Sequence, residues 1–503
     1  MPVVIKFCTS VPGGDPESRP CTIVGKRPNL NKVPFTDVEP FFGNRVSDKA
    51  WKAAVSSLST TNISSCGLWL NKATVGGIPT EVSRHNTPSR AHALTKVVRT
   101  EAKSGENVAI IVVCERAEML ASGCAVVRGF PTYTMKTNAT KTTQTVSVGF
   151  ILVGEGNSPV TEDDVKCLDA LATGVRLAQD IVDRPCNYMH TDNFLDVIRE
   201  VGKSVGIEPM IIQGEELDKQ GFGGIYGVGK AAVHKPALAV LSHTPPGAIE
   251  TICWAGKGIV YDTGGLSIKT KTGMPGMKRD CGGAAGILGA FLVAIKMGFK
   301  ENLHAVFCLA ENSVASNATR PDDIHTLYSG KTVEINNTDA EGRLVLGDGV
   351  AYARKVLKAD WILDMATLTG AQGISTGQYH AGVVTNHEAS QVALQEAGRT
   401  SGDLTFPLPY SPELHFSEFR SVVADMKNSV ADRSNAQSSC AGLFIGAHLG
   451  FDYSGVWIHI DMASPAYTGE RATGYGVALL TTLYGDRTLN PLLRAAAPNV
   501  KRS

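Results

Sequence analysis

A chain of 503 residues is long for one domain and predicts two or three. Hydrophobic residues at 43% and charged residues at 19% suit a globular protein with a large core, and 48 basic residues balanced by 48 acidic ones give no general attraction to nucleic acid or to an anionic membrane. Eleven cysteines, odd in number and without a C-x-x-C pair, argue against a disulfide framework and for reduced thiols in the cytoplasm.

In chain order, M-P-V-V-I-K-F-C at the start has only a short apolar stretch, broken by Lys6, and reads as a strand, not a signal segment. N-x-[ST] matches at Asn62 and Asn138 are read as chance, because no secretory signal accompanies them. V-A-I-I-V-V-C (108–114) and T-V-S-V-G-F-I-L-V (145–153) are predicted strands, and G-E-G-N-S-P (154–159) a loop. Thr161 is placed to cap a helix, with Asp164 three positions on; Val165, Leu168, Leu171, Val175 and Ala178 share one face, and Arg184-Pro185 ends it. Short apolar runs then alternate with helical patterns: strands at 237–241, 251–255, 304–310, 361–366 and 456–461, helices near 284–298 and 344–358. The longest apolar run, 286–295, is too short to span a bilayer and suits a buried helix.

This alternation predicts an α/β protein. A smaller N-terminal α/β domain covers 1–160, a connecting helix 161–183, and a larger domain with a central mixed sheet flanked by helices 184–490, leaving a tail at 491–503. In such sheets, sites form beyond the strand C-termini.

Two segments carry chemistry. A-G-K-G-I-V-Y-D-T-G-G-L-S-I-K-T-K-T-G-M-P-G-M-K-R-D-C-G-G (255–283) follows a strand, is dense in glycine, and spreads Lys257, Asp262, Lys269 and Asp280 along its length. N-N-T-D-A-E-G-R (336–343) sets Asp339, Glu341 and Arg343 at alternate positions, which in an extended stretch face one side. Each carboxylate alone reads as an ordinary salt-bridged surface acid. Four brought together repel strongly unless cations intervene. Two divalent ions resolve that repulsion, and oxygen-rich ligation without His or Cys suits Mg, Mn or Zn.

N-T-D-A-E-G-R followed by Leu344 resembles the signature of the leucine (cytosol) aminopeptidase family, metallopeptidase family M17, and the G-K-G…D-T-G-G…K…M-K-R-D segment is similar to that family's metal-and-lysine loop. The resemblance runs from about Arg184 to Leu480 and includes D-M-A-T-L-T-G-A (364–371) and A-T-G-Y-G (472–476). The first 160 residues do not match better-studied members, which points to the aminopeptidase-like branch found in animals. The resemblance implies a metal-dependent aminopeptidase of peptides with a free α-amino group, using water that bridges two ions. Zn2+ is the first choice, Mn2+ or Mg2+ the alternatives. Lys257, Asp262, Asp280 and Glu341 would hold one ion and Asp262, Asp339 and Glu341 the other, with a neutral Lys257. Lys269 would stabilise the oxyanion, and Arg343 would hold a bicarbonate ion acting as general base. Met277, Asn337, Thr367, Gly370 and Ala463 would line or flank the pocket for the first side chain, with the Leu368 carbonyl near the substrate amine. Ala466, smaller than the family's usual residue, would widen that pocket. The family also implies a cytoplasmic homohexamer acting on peptides, with neither nucleic acid nor membrane as partner.

Other signals are set aside. G-I-Y-G-V-G-K (224–230) has Ala231 where a phosphate loop needs Ser or Thr, and reads as a turn-rich connector. His459 and Asp461 alternate on an apolar strand and read as a satisfied core polar pair; His387-Glu388 lacks a second histidine at 391; Cys281 reads as packing. Two rival readings are a two-metal phosphoesterase, which usually employs histidines and phosphate-binding arginines, and a catalytically silent assembly scaffold on the same fold.

Overall fold

The computed structural model describes residues 3–102, 105–137, 143–155 and 158–499. Asn138, part of the 154–159 loop and the last residues of the tail lie outside the described residues.

The first sheet has six strands in the order Val3–Phe7, Gln144–Leu152, Val108–Cys114, Cys21–Lys26, Ala73–Ile78, Ser64–Trp69. All its pairs are parallel except the last. Val108–Cys114 is buried on both faces, which is why it reads as a solid apolar run.

The connecting helix runs Glu162–Asp183. The Thr161 hydroxyl accepts from Asp164 N while the Asp164 carboxylate accepts from Thr161 N, so two otherwise orphaned N–H groups are satisfied reciprocally. Its inner face packs on the helix Gly282–Lys296, which is apolar all round and almost wholly buried. The crossing is close because Gly174 meets Gly289. A Cβ on Gly289 would lie 2.5 Å from the Gly174 carbonyl oxygen, and one on Gly174 2.7 Å from that of Gly289.

The second sheet has eight strands in the order Thr405–Pro407, Ala381–Thr385, Val456–Asp461, Trp361–Ala366, Thr251–Asp262, Asn302–Asn312, Ala237–His243, Met210–Gln213. The four strands Val456–Asp461, Trp361–Ala366, Thr251–Asp262 and Asn302–Asn312 are parallel to one another, and antiparallel pairs follow on both sides. The sheet is therefore mixed, and those four strands end at one edge, where Asp461, Thr367, Asp262 and Asn312 emerge.

Two local expectations fail. Residues 224–230 are not a turn-rich connector; Gly223–Gly229 is a short helix, and buried Asp348 accepts from its Ile225 N at 2.8 Å, supplying the cap its own sequence lacks. The 336–343 segment is not extended throughout. Glu341 already has helical dihedrals as the N-cap of the helix Gly342–Lys355, and Arg343 sits in its first turn.

The Gly174–Gly289 contact generates a prediction. Gly289→Val is expected to destabilise the protein by about 1–3 kcal/mol, the usual cost of overpacking a close contact, read as a lower thermal unfolding midpoint. An unchanged midpoint would mean that the two helices separate freely.

Candidate active site

Three elements deliver the acidic and basic groups. Lys257 and Asp262 lie on the central strand Thr251–Asp262; the loop after it returns Lys269; a single 3-10 turn, Met277–Cys281, carries Asp280. The third element is the approach to the helix Gly342–Lys355, with Asp339 and Glu341. Glycine is required at two points. Gly264 has φ +85°, and a Cβ there would stand 3.0 Å from Asp339 Oδ1; at Gly342 a Cβ would meet the Lys257 side chain at 2.5 Å, so the lysine stem lies where a larger residue would be.

Charges alternate through the cluster. Lys257 Nζ is 2.8 Å from Asp280 Oδ1 and 2.9 Å from Glu341 Oε1, and it donates to the Thr367 carbonyl at 2.9 Å. Thr367 Oγ1 donates to Asp280 Oδ1 at 2.9 Å. Lys269 Nζ is 2.7 Å from Asp262 Oδ2 and pairs closely with Asp339. Asp262 Oδ1 accepts from Gly264 N at 2.9 Å and from Asn312 Nδ2 at 2.8 Å. Asn428 accepts from Asn337 N and donates to the carbonyls of Asn337 and Ala340, and its own carbonyl accepts from Arg343 Nη1 at 3.1 Å.

Two ammonium groups do not balance four carboxylates. Burial, reinforced by the charge of Asp262, pushes the Glu341 carboxyl up to about 7 and the Asp339 carboxyl up to about 6. Burial also raises Asp280, against the opposing pull of Lys257. Without a cation in the site, Lys257 keeps its proton. Burial works to lower its pKa, but the carboxylates of Asp280, Glu341 and Asp262 outweigh burial and hold the ammonium well above the usual lysine value. The same balance, with Asp262 and Glu341, raises Lys269. Burial lowers the Arg343 guanidinium to about 10.

Oxygens of Asp262, Asp280 and Glu341 lie within 4.8 Å of one another. Glu341 Oε2 is buried and has no hydrogen-bond partner. A buried carboxylate oxygen left unpaired beside two other acids costs free energy unless a cation meets it, so the donor set fits divalent ions.

The cleft around the cluster encloses about 560 Å³. Lys257, Asp262, Asp280, Asp339 and Glu341, Lys269 and Arg343, and Met277, Asn337, Thr367, Leu368, Gly370 and Ala463 all line it. Ala466 does not; it is buried, against Gly282. Sequence reasoning missed Arg279, Ser429, Arg433, Gln437, Ser464 and Tyr467, which also line it. Arg279, whose guanidinium lies 3.5 Å from the Tyr467 ring centroid, had the signal of standing beside Asp280; Arg433 had none. No described residue lining the cleft is a histidine.

His459 and Asp461 do not pair with each other. His459 Nδ1 is 2.5 Å from Asp364 Oδ1, while Asp461 accepts from Leu368 N and Thr369 Oγ1, so it braces the 367–369 turn behind the cleft.

Residues 176–481 match the catalytic domain of the cytosol aminopeptidase family, Peptidase M17, and residues 19–139 match the M17 aminopeptidase N-terminal domain 2. The latter assigns a stretch that the sequence motifs left unmatched. The human protein named probable aminopeptidase NPEPL1 is 61% identical over 498 residues, covering 99% of this chain and 95% of its own. Leucine aminopeptidase 1 of Caenorhabditis elegans is 43% identical over 94% of this chain and 96% of its own. The solved structure of the C. elegans leucine aminopeptidase superposes with a TM-score of 0.92 at 41% identity, covering 98% of this chain and 100% of that one. A Trypanosoma brucei leucyl aminopeptidase in complex with bestatin gives 0.85 at 37% identity, over 96% and 95%.

The raised carboxyl groups set a pH dependence for metal uptake. A group whose pKa stands near 6 or 7 still holds a proton below that pH, and the proton competes with a cation. Apparent affinity for Zn2+ in the chelated protein is therefore expected to rise as pH goes from about 5 to about 7. Competition with a chromophoric chelator measures it, and an affinity flat across that window would contradict the cause given for the shifts.

Proposed function

The chain belongs to the M17 cytosol aminopeptidase family, and on that premise we propose how its cleft removes the first residue of a peptide. The protein is a metal-dependent aminopeptidase, a hydrolase that acts on peptides bearing a free α-amino group. The observation that carries the residue-level reading is the unpaired Glu341 oxygen inside a cluster of four carboxylates.

Lys257, Asp262, Asp280 and Glu341 are the residues that would hold one ion, and Asp262, Asp339 and Glu341 the other, with Asp262 and Glu341 shared. Zn2+ is the ion this mixed oxygen and amine set favours, with Mn2+ or Mg2+ as alternatives. When bound, the pair supplies Lewis acidity and an acidified water at neutral pH. Lys257 would serve as a ligand only in its neutral form, which cations bound beside it would favour. Lys269, less buried than Lys257, turns its charge to the carbonyl oxygen of the scissile bond as negative charge develops there. Arg343 is buried with its Nε unpartnered, a donor suited to a planar oxyanion such as bicarbonate, which would take the proton of the attacking water. Met277, Asn337, Thr367, Gly370 and Ala463 flank the first side chain. Leu368, on the turn braced by Asp461, directs its carbonyl at the substrate amine. Residues 1–160 shape access and assembly, and the connecting helix 161–183 joins them to the catalytic domain at 184–490; the expected tail is instead in part the helix Pro491–Ala496, which buries Leu492 and Leu493 and packs on the connecting helix. The assembly is a homohexamer. All eleven cysteines are free, which supports a cytoplasmic setting, and no helix among the described residues is long and apolar enough to cross a membrane. A cleft without histidine gives no support to the phosphoesterase reading.

Activity is expected on a peptide with a free amine and not on its N-acetylated twin; equal cleavage of both would end the exopeptidase reading. Asp262→Asn and Glu341→Gln are each expected to abolish turnover and lower metal content by elemental analysis. Lys269→Ala separates the two roles: metal content should hold while turnover falls about 100- to 1000-fold, the scale for a lost oxyanion donor. Full recovery of the Lys269 variant at saturating metal would reduce Lys269 to a counter-charge.

A further inference from the structure

A second group of metal-binding side chains lies outside the cleft. His190 directly precedes the helix Thr191–Ser204, Asp192 is in its first turn, and His234 lies in the turn before the strand Ala237–His243. The two imidazole rings stack face to face, centroids 3.4 Å apart and 3° from parallel. Asp192 Oδ2 stands 2.6 Å from His234 Nδ1 and 3.8 Å from His190 Nδ1. Gln213 Nε2 donates to the other oxygen, Asp192 Oδ1, at 2.7 Å, which leaves Oδ2 turned to the rings.

One ligand atom from each of the three residues falls within 4.8 Å of the others. His190 Nδ1 is buried and has no hydrogen-bond partner, a cost that the fold does not otherwise offset. Ligand atoms about 2.0–2.2 Å from a tetrahedral zinc stand roughly 3.4 Å apart. The observed 2.6 and 3.8 Å between Asp192 and the two imidazoles bracket that spacing, and the parallel rings would tilt apart from their stack to turn both in-plane lone pairs on one ion.

We propose that His190, Asp192 and His234 form a third, mononuclear metal site, separate from the cleft, that takes a transition-metal ion of the Zn2+ class. Two imidazoles and one carboxylate select such an ion over Mg2+ or Ca2+. Three protein ligands leave a fourth position for water, and the partial exposure of Asp192 and His234 gives the ion a path in. The ion replaces the hydrogen bond between Asp192 and His234, meets the unpaired nitrogen of His190, and pins the start of the helix to the turn before Ala237. Its role is to fix the chain where it leaves the connecting helix; it does not touch the substrate.

The test uses the full-length protein, chelated and then reloaded with Zn2+ or Cu2+. Zn2+ per chain by elemental analysis is expected to fall by one in the double variant His190→Gln, His234→Gln, with turnover on a free-amine peptide retained. Cu2+, the strongest binder among such divalent ions, gives a second readout, because pulsed EPR detects imidazole nitrogen and the cleft has no lining histidine. That signal should be present in the parent and lost in the double variant. Equal metal counts and an unchanged nitrogen signal would overturn the proposal and leave a hydrogen-bonded histidine–aspartate pair only. Should the double variant fail to fold, Asp192→Asn keeps both rings and is expected to weaken Zn2+ at this site at least 10-fold, the usual scale for losing a ligand or its support; unaltered affinity there would equally overturn it.

Discussion

Negative charge gathered on buried side chains at the floor of a cleft is the constraint on which the site depends. Asp262, Asp280 and Glu341 are buried, and Asp339 stands at the rim of the group. Left alone, such a set would neutralise itself with protons, and the raised carboxyl groups show it part of the way there. The protein sets Lys257 and Lys269 among the acids, which keeps the cluster ionised enough to attract cations without cancelling it. Asn312 donates to Asp262 and Thr367 to Asp280, Asn428 holds the backbone at Ala340, and one oxygen of Glu341 stays unpaired.

The sheet makes this arrangement affordable. Four neighbouring parallel strands end at one edge, so a lysine in the middle of one strand, an aspartate at its end and a threonine after the next all reach the same volume. The register sets Asn312 opposite Asp262, which is why a residue 50 positions away supports that carboxylate. Behind the edge, the all-apolar helix Gly282–Lys296 holds the loop bearing Asp280 against the strand. Rigid elements carry the ligands, and the glycine-rich turns only close the distance between them.

Much of this was legible from residue order alone, because chemistry and local structure coincide there. Apolar runs marked the central strands, and Thr161 with Asp164 marked the start of the connecting helix. The strand containing Lys257 extends from 251 to 262, well beyond the apolar run that announced it, since Lys257 itself interrupts the pattern. The 336–343 segment misled because alternate spacing looks the same in a strand and at a helix start, and only the tertiary contact of Gly342 with Lys257 settles which is used. His190 and His234 were invisible for a different reason: 44 positions separate them, and no short motif spans the turn that stacks them. Arg433 and Gln437 likewise reach the cleft through the fold and not through any local signature.

The close crossing of Gly174 and Gly289 has a consequence for how the protein comes apart. Residues from the first sheet, such as Val146 and Val148, belong to the same continuous apolar cluster as Leu288 and Phe291 of the helix Gly282–Lys296, with the connecting helix between them. The boundary drawn in the sequence is therefore not a seam. Each half has an apolar cluster of its own, but both share this one, so partial opening at this junction exposes apolar surface on both sides at once. Exchange of the N-terminal half between relatives has to carry both faces of that helix with it, which ties the evolution of the accessory half to that of the catalytic one.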